Sequence, residues 1–330
     1  MNSDERFFYH SFPRRGRDTI GEVTKGCEIL ALIRDAGLLL APEIVEWRYS
    51  HANGSPPRVE RFLQNRVCFT ELSPSELARH ASEFGHFALE FRIETIRKLG
   101  GMPVFYVPNP KEANDSTPEQ LGSTLVIQLM DARNLANHIA GLSEVFRGPV
   151  PVEREIDFCV EFKENPNATK SFRLVTDEAK KTLEAITHGV TPARMLADGI
   201  TGTLNLFYPT DGHTENSTMV NYRQREWRII GNVSVKGVSL MKRLNPEERD
   251  QLQRIDAEFF GRVLECPLGD VPLLDACLMY PKLNGEPIIE LVNRVIVPDS
   301  AVAKAKNVLS GLRRPPMVVS LTEIAESPGA

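Results

Sequence analysis

Apolar and polar positions along this chain change in short blocks, some with the two-residue period of a strand and some with the helical period near 3.6. Phe7-Phe-Tyr-His10 reads as a short strand, followed by a basic turn at Pro13-Arg-Arg-Gly-Arg17. Ile29, Leu32 and Ile33 mark one face of a helix over Thr24–Ala36, and Gly37 is placed to end it. Arg66–Thr70 is a compact strand. Ser73-Pro-Ser-Glu76 then supplies an N-cap, a proline at the first helical position and a glutamate two residues later. The helix that follows carries Leu77, His80, Ala81 and Phe84 and stops at Gly85.

Phe87–Phe91 and Met102–Val107 are further strands, and 108–119 is a loop rich in Pro, Asn, Asp and Ser. A long helix is expected over roughly 120–146, with Leu121, Leu125, Leu129, Ala132, Leu135, Ala136 and Ile139 as its apolar stripe. A strand at Glu155–Phe162, a turn at Asn165-Pro-Asn167, a helix at Asp177–Thr187 and a strand at Gly202–Tyr208 come next. A polar loop over 209–221 delivers the chain to a strand around Glu226. Asn245-Pro-Glu-Glu248 opens a helix running through Arg262, Glu290–Val297 is a strand, and Pro298-Asp-Ser300 starts a last helix ended by Gly311. This irregular order, with no βαβ rhythm and no repeat, predicts one α+β domain over 1–330 with a helical insertion at about 110–200.

Composition narrows the class. At 330 residues with 42% apolar and 25% charged content, the chain can bury a sizeable core. A net charge of −5 offers no bulk attraction to nucleic acid or an anionic membrane. The five cysteines, Cys27, Cys68, Cys159, Cys266 and Cys277, form an odd set without CxxC spacing. That suits a reducing cytoplasm rather than a disulfide framework or zinc ribbon. No apolar run approaches about 18 residues and no signal-peptide core is visible, so a cytoplasmic protein without a membrane partner is expected.

The most informative segment is Tyr222-Arg-Gln-Arg-Glu-Trp-Arg-Ile-Ile230. On a strand, Gln224, Glu226 and Arg228 would share one face while Arg225, Trp227 and Ile229 share the other. An acid and an amide two residues apart beside cations suit a cleft better than a core.

Three strand-borne segments, Tyr9-His10-Ser11, Val67-Cys-Phe-Thr70 and Gln224-x-Glu226, follow each other in an order that resembles ADP-ribosyltransferases. The resemblance implies a mixed-sheet fold of that type with NAD as substrate. His10 would hold the adenine-side ribose, Arg14 or Arg15 would pair with the pyrophosphate, and Thr70 would line the nicotinamide pocket. Phe69 or Tyr106 would stack on the nicotinamide ring. Glu226 would stabilise an oxocarbenium-like transition state and Gln224 would orient a protein or nucleic-acid acceptor. The chain departs from that pattern at Ser11-Phe12, where Gly-Thr is usual, and at Phe69, where tyrosine is usual.

At closer range, Val67-Cys-Phe-Thr-Glu-Leu-Ser73, His80 and His86 around Phe84-Gly85, Val104-Phe-Tyr106, Arg225-Glu-Trp-Arg228 and Val295-Ile-Val-Pro298 resemble the AbiGi family of abortive phage-infection proteins. The likeness spans roughly 5–310. It implies an antitoxin or first component of a two-gene phage-exclusion system, with a partner protein and no assigned chemistry. A link from that family to DarT-like ADP-ribosyltransferases rests on segment order alone.

Plainer readings stand beside these. Glu226 between Arg225 and Arg228 could form an ion-pair network. His10 could be a satisfied histidine among aromatics, Thr70 a sheet residue, Cys68 an inert thiol and Arg14–Arg17 a solvated turn. His80 and His86 fall on different elements, a poor spacing for a metal pair. Two main functions therefore remain: an NAD-using enzyme, and a non-catalytic antitoxin or sensor that binds a partner protein or phage component. A metal-dependent nuclease using His80 or His86 is a third.

Overall fold

The computed structural model describes residues 6–13, 22–49, 58–109, 117–145, 155–162, 165–188, 191–211, 225–231, 234–235, 238–266 and 269–325. The chain divides into two compact units, Met1–Leu125 with Asn205–Ala330, and Val126–Leu204.

The first unit is organised by one long strand. In chain order its elements begin β1 (Phe7–Phe12), α1 (Glu22–Ala36), β2 (Leu38–Tyr49), β3 (Arg58–Leu72), α2 (Pro74–Phe84), β4 (Phe87–Phe91), α3 (Ile93–Lys98), β5 (Met102–Pro103) and β6 (Phe105–Asn109). The compact strand expected at Arg66–Thr70 is only part of the C-terminal half of β3, and the long β2 was not predicted. The two form a ribbon from Ala41↔Arg66 to Tyr49↔Arg58, so pairing rather than local pattern extends them. After β6 come α4 (Thr117–Val145), β7 (Glu155–Phe162), β8 (Asn165–Val175), α5 (Thr176–Thr187) and α6 (Ala193–Leu204). The chain then returns through β9 (Phe207–Asp211) and β10 (Glu226–Ile230).

Short pieces follow: β11 (Ser234–Val235), β12 (Val238–Ser239), β13 (Lys242–Arg243), α7 (Pro246–Ile255), α8 (Ala257–Phe260), β14 (Val263–Cys266), β15 (Gly269–Pro272), α9 (Leu273–Ala276), β16 (Leu278–Tyr280), β17 (Lys282–Leu283) and β18 (Glu286–Pro287). The last elements are β19 (Arg294–Val297), α10 (Val302–Val308), β20 (Met317–Ser320) and α11 (Leu321–Ala325).

The main sheet runs β13-β16-β2-β3-β1-β4-β19-β20, with β10 also on β3 and β5 on β10. Its pairs are antiparallel except β19–β20, so the core is a mixed sheet. Arg66 faces both Ala41 and Ile230, and Thr70 faces both Tyr9 and Glu226. Hence β2 and then β1 use one edge of β3, while β10 takes the other. A large core of Phe8, Phe12, Leu30, Ile33, Phe69, Phe87, Phe91 and Ile229 fills one face of the sheet. On the other face, Phe7, Tyr9, Leu77, Ala88, Ile296 and Ile324 form a smaller cluster. Helix α1 lies so close that a Cβ on Gly26 would meet the Phe87 ring at 2.3 Å. Gly37 ends α1 at φ 106°, where a Cβ would strike the Tyr280 carbonyl.

Several expected boundaries move. The segment expected as a strand at Gly202–Tyr208 is instead the end of α6 followed by β9. The helix expected through Arg262 breaks at Asp256, whose side chain caps the Phe259 amide 2.9 Å away and starts α8. Glu290–Leu291 closes a 3-10 turn, and the strand begins only at Arg294.

Within α4, Leu125 of the first unit is exposed; in the second unit the helix buries Val126, Ile127, Met130, Ala136 and Ala140 and exposes Leu135. The helix was foreseen, but of its expected stripe Ala136 is buried while Leu125 and Leu135 are not, because apolar residues surround the helix and packing chose among them. Strands β7 and β8 form an antiparallel hairpin with an irregularity at Glu161/Phe162, and α5 and α6 complete the unit.

Candidate functional site

The register of β3 sorts the described strand-borne candidates by sheet face. Glu226 opposes Thr70, and Arg228 opposes Cys68, so Gln64, Arg66, Cys68, Thr70, Glu226 and Arg228 share a face. Tyr9 opposes Thr70 and Glu90, which puts the Tyr9 cluster on that same face. Phe69 opposes Trp227, and both pack in the large core on the reverse side.

Over the polar face lie β6 and β9, a parallel pair in which Tyr106 opposes Tyr208. The Tyr106 hydroxyl donates to Glu226 Oε2, and Arg228 Nε donates to Glu226 Oε1 at 2.8 Å. Arg66 donates to Gln64 Oε1 at 2.8 Å and pairs with Glu43, which also accepts from the Tyr208 hydroxyl at 3.0 Å. Gln64 Nε2 donates to the Phe207 carbonyl at 3.2 Å. The Arg66 and Arg228 guanidiniums lie 4.8 and 4.6 Å from the centre of the Tyr208 ring. Arg66, Gln64, Tyr106 and Arg228 are all buried.

Electrostatics fix the protonation states. Burial would raise the pKa of Glu226, but the Arg228 charge and hydrogen bonds from Arg228, Cys68 and Tyr106 outweigh it. The carboxyl is held below its usual range, which makes it an anion and not a general acid near neutral pH. Burial, then the Glu226 charge, push the Cys68 thiol up to about 11, so Cys68 is no nucleophile. The same two causes raise Tyr106.

His10 goes elsewhere. Pairing of β1 with β3 ends at Tyr9↔Thr70, and the His10 imidazole lies 2.9 Å from the Cys68 carbonyl, where a ladder bond would otherwise sit. Its ring lies 5.7 Å from Phe69 and 6.1 Å from Phe12, on the large-core side. Phe69 is fully buried, with Phe91 edge-on at 5.5 Å. Thr70, Tyr106 and Glu226 thus meet on one face, and His10 and Phe69 lie on the other. Gln224 and Arg14 fall outside the described residues, as do Arg15 and Arg17.

Alternation along β10 holds for Glu226, Trp227, Arg228 and Ile229. Arg225 breaks it. That residue takes the left-handed φ of 45°, and its guanidinium bonds both Glu76 oxygens at 2.8 and 2.9 Å. Glu76, the capping glutamate of α2, also accepts from the Ser73 amide at 2.8 Å. His80 bridges Ser11 at 3.4 Å and Thr70 at 3.2 Å, and His86 lies 2.9 Å from Glu22. Burial lowers the His80 pKa to about 4 and keeps it neutral.

Glu43, Gln64, Arg66 and Tyr208 were not expected here. One signal was available, since polar or thiol residues at 64, 66, 68 and 70 keep the two-residue period through the middle of a strand.

Fold and cluster together define a mixed α+β protein with a charged, hydrogen-bonded network on one sheet face. Residues 58–256 match a family described as "Putative abortive phage resistance protein AbiGi, antitoxin", and the chain belongs to this AbiGi family. The matched span takes in Arg66, Thr70, Tyr106, Tyr208, Glu226 and Arg228, while His10 and Glu43 precede it. No curated protein and no solved structure matches the chain. Among the described residues, no helix is long and apolar enough to cross a membrane.

Proposed function

We propose that this protein is the antitoxin of a two-gene abortive-infection system and acts by binding its partner protein rather than by chemistry. One observation carries the reading. Glu226, the carboxylate best placed for catalysis by sequence, has both oxygens engaged by Arg228 and Tyr106. It also lies across the sheet from His10 and Phe69, the residues that would have to share a dinucleotide with it. A group anchored in this way holds β6 to the sheet.

The test is co-expression with the partner gene of the same defence pair, followed by co-purification and a growth assay. A stable complex and rescued growth are expected from both the wild type and Glu226→Gln. Failure of the wild type to bind or to rescue removes the antitoxin reading.

A second reading, NAD cleavage at an ADP-ribosyltransferase-like site, draws on the meeting of Thr70, Tyr106 and Glu226 on one face. It predicts nicotinamide release by the purified protein, lowered by about 10²–10³ in Glu226→Gln. Without release from the wild type, that reading fails.

A further inference from the structure

Among the described residues, four buried side-chain donors or acceptors lack a hydrogen-bond partner: Trp47 Nε1, Arg225 Nε, Arg228 Nη1 and Tyr280 Oη. Trp47 and Tyr280 are uncharged, and the Arg225 side chain is 31% exposed where it pairs with Glu76. Arg228 differs. It is 1% exposed, carries a full charge, and shares the Tyr208 ring with a second buried guanidinium, Arg66. Two like charges against one ring repel, and burial, then the Arg228 charge, hold the Arg66 pKa below its usual value.

Two carboxylates answer these cations, and they are unlike. The Glu226 side chain is 12% exposed and fixed by Tyr106 and Arg228. The Glu43 side chain is 43% exposed, yet it holds Arg66, whose side chain is only 7% exposed. A half-exposed carboxylate is readily exchanged, because water replaces its contacts at little cost. Without Glu43, the cluster would retain two buried cations against one buried anion, a deficit that a singly charged group fills.

We propose that Arg66 and Tyr208 form a socket for an external carboxylate and that Glu43 is its internal stand-in. The ligand class follows from the present occupant. Glu43 shows that a carboxylate meets the Arg66 guanidinium and the Tyr208 hydroxyl together. An incoming carboxylate takes both, with the Arg228 guanidinium beside Arg66 against the same Tyr208 ring. The proposal stands whether or not the antitoxin reading holds.

Acetate is the probe, titrated against chloride at equal ionic strength and pH 7, with the thermal midpoint and the Arg66 side-chain Nε–H resonance as readouts. Glu43→Gln removes the stand-in, so acetate should stabilise this variant saturably and shift the Arg66 resonance. Wild type should need about 10-fold more acetate, because the tethered carboxylate competes at high effective concentration. Adding Arg66→Gln to Glu43→Gln should abolish the acetate effect. If that double variant fails to fold, the Arg66 resonance in Glu43→Gln alone decides. An unmoved resonance, or equal responses to acetate and chloride, overturns the socket. Repeating the titration with a blocked Gly-Glu-Gly peptide separates the sources: tighter binding than acetate indicates a protein side chain, and equal or weaker binding a small carboxylate.

Discussion

Two glutamate–arginine pairs lie on the same face of the main sheet, and they are finished differently. Glu90 is fully buried and accepts from four donors: Tyr9 Oη at 2.9 Å, Asn293 Nδ2 at 2.5 Å, and Arg294 Nε and Nη2 at 2.8 and 2.5 Å. Phe7 covers the Arg294 guanidinium at 5.4 Å. Glu226 accepts from Arg228 and Tyr106, but Arg228 keeps an unpartnered Nη1 and stands beside Arg66. A fork–fork pair with its remaining lone pairs filled ties three strands, β1, β4 and β19, together. The second pair ties β10 to β6 through Tyr106 and leaves one buried Arg228 N–H donor unpartnered beside Arg66. Buried ion pairs are thus no single kind of feature: the saturated one reads as framework, the unfinished one as a place where something binds.

Breaking the saturated pair should cost most. Arg294→Ala leaves Glu90 buried without its cation and should destabilise the protein by about 3–5 kcal/mol in chemical denaturation. A loss under about 1 kcal/mol would mean that Glu90 is not anchored as described. Glu226→Gln keeps an acceptor for Arg228 but removes the charge, and a smaller loss of about 2–3 kcal/mol is expected. Equal losses at both sites would erase the contrast.

Acid provides the next test. His80 has a folded pKa of about 4 against an ordinary 6.5, so the unfolded state takes up its proton first. Stability should therefore fall as pH drops from 6.5 towards 4, by about 2 kcal/mol once partial exposure is discounted. His80→Gln should flatten that slope in pH-dependent denaturation. Least of all, Glu43→Gln should cost about 1–1.5 kcal/mol in stability, because glutamine keeps an acceptor for the buried Arg66 and the charge removed is half exposed. A large loss would make Glu43 framework too and remove its role as a displaceable group.

Much of the fold was legible in the chain. The capping boxes at Ser73 and Asn245 start α2 and α7 where expected, with Glu76 and Glu248 reaching back to the cap amides at 2.8 and 2.9 Å. Gly37 and Gly85 end their helices at φ 106° and 116°. Such signals are local: a few adjacent residues contain both donor and acceptor, so sequence spacing fixes the geometry.

The site was only half legible. Period two put Glu226 and Arg228 on one face of β10, and β10 keeps that arrangement. The same rule could not say which face of β3 would meet it, because that depends on one hydrogen-bond register between residues more than 150 positions apart. A slip of one residue would have put Phe69 beside Glu226 and Thr70 in the core. Segment order likewise suggested His10 as a neighbour of Glu226, whereas strand alternation in β1 turned it to the opposite face. Composition, caps and periodicity thus determined most of the helices and the cores of several strands, while pairing between distant strands extended β2 and β3 and its register decided which side chains meet. The physical reason is range: turns and caps close within a few residues, while cross-strand contacts exist only once the whole sheet has assembled.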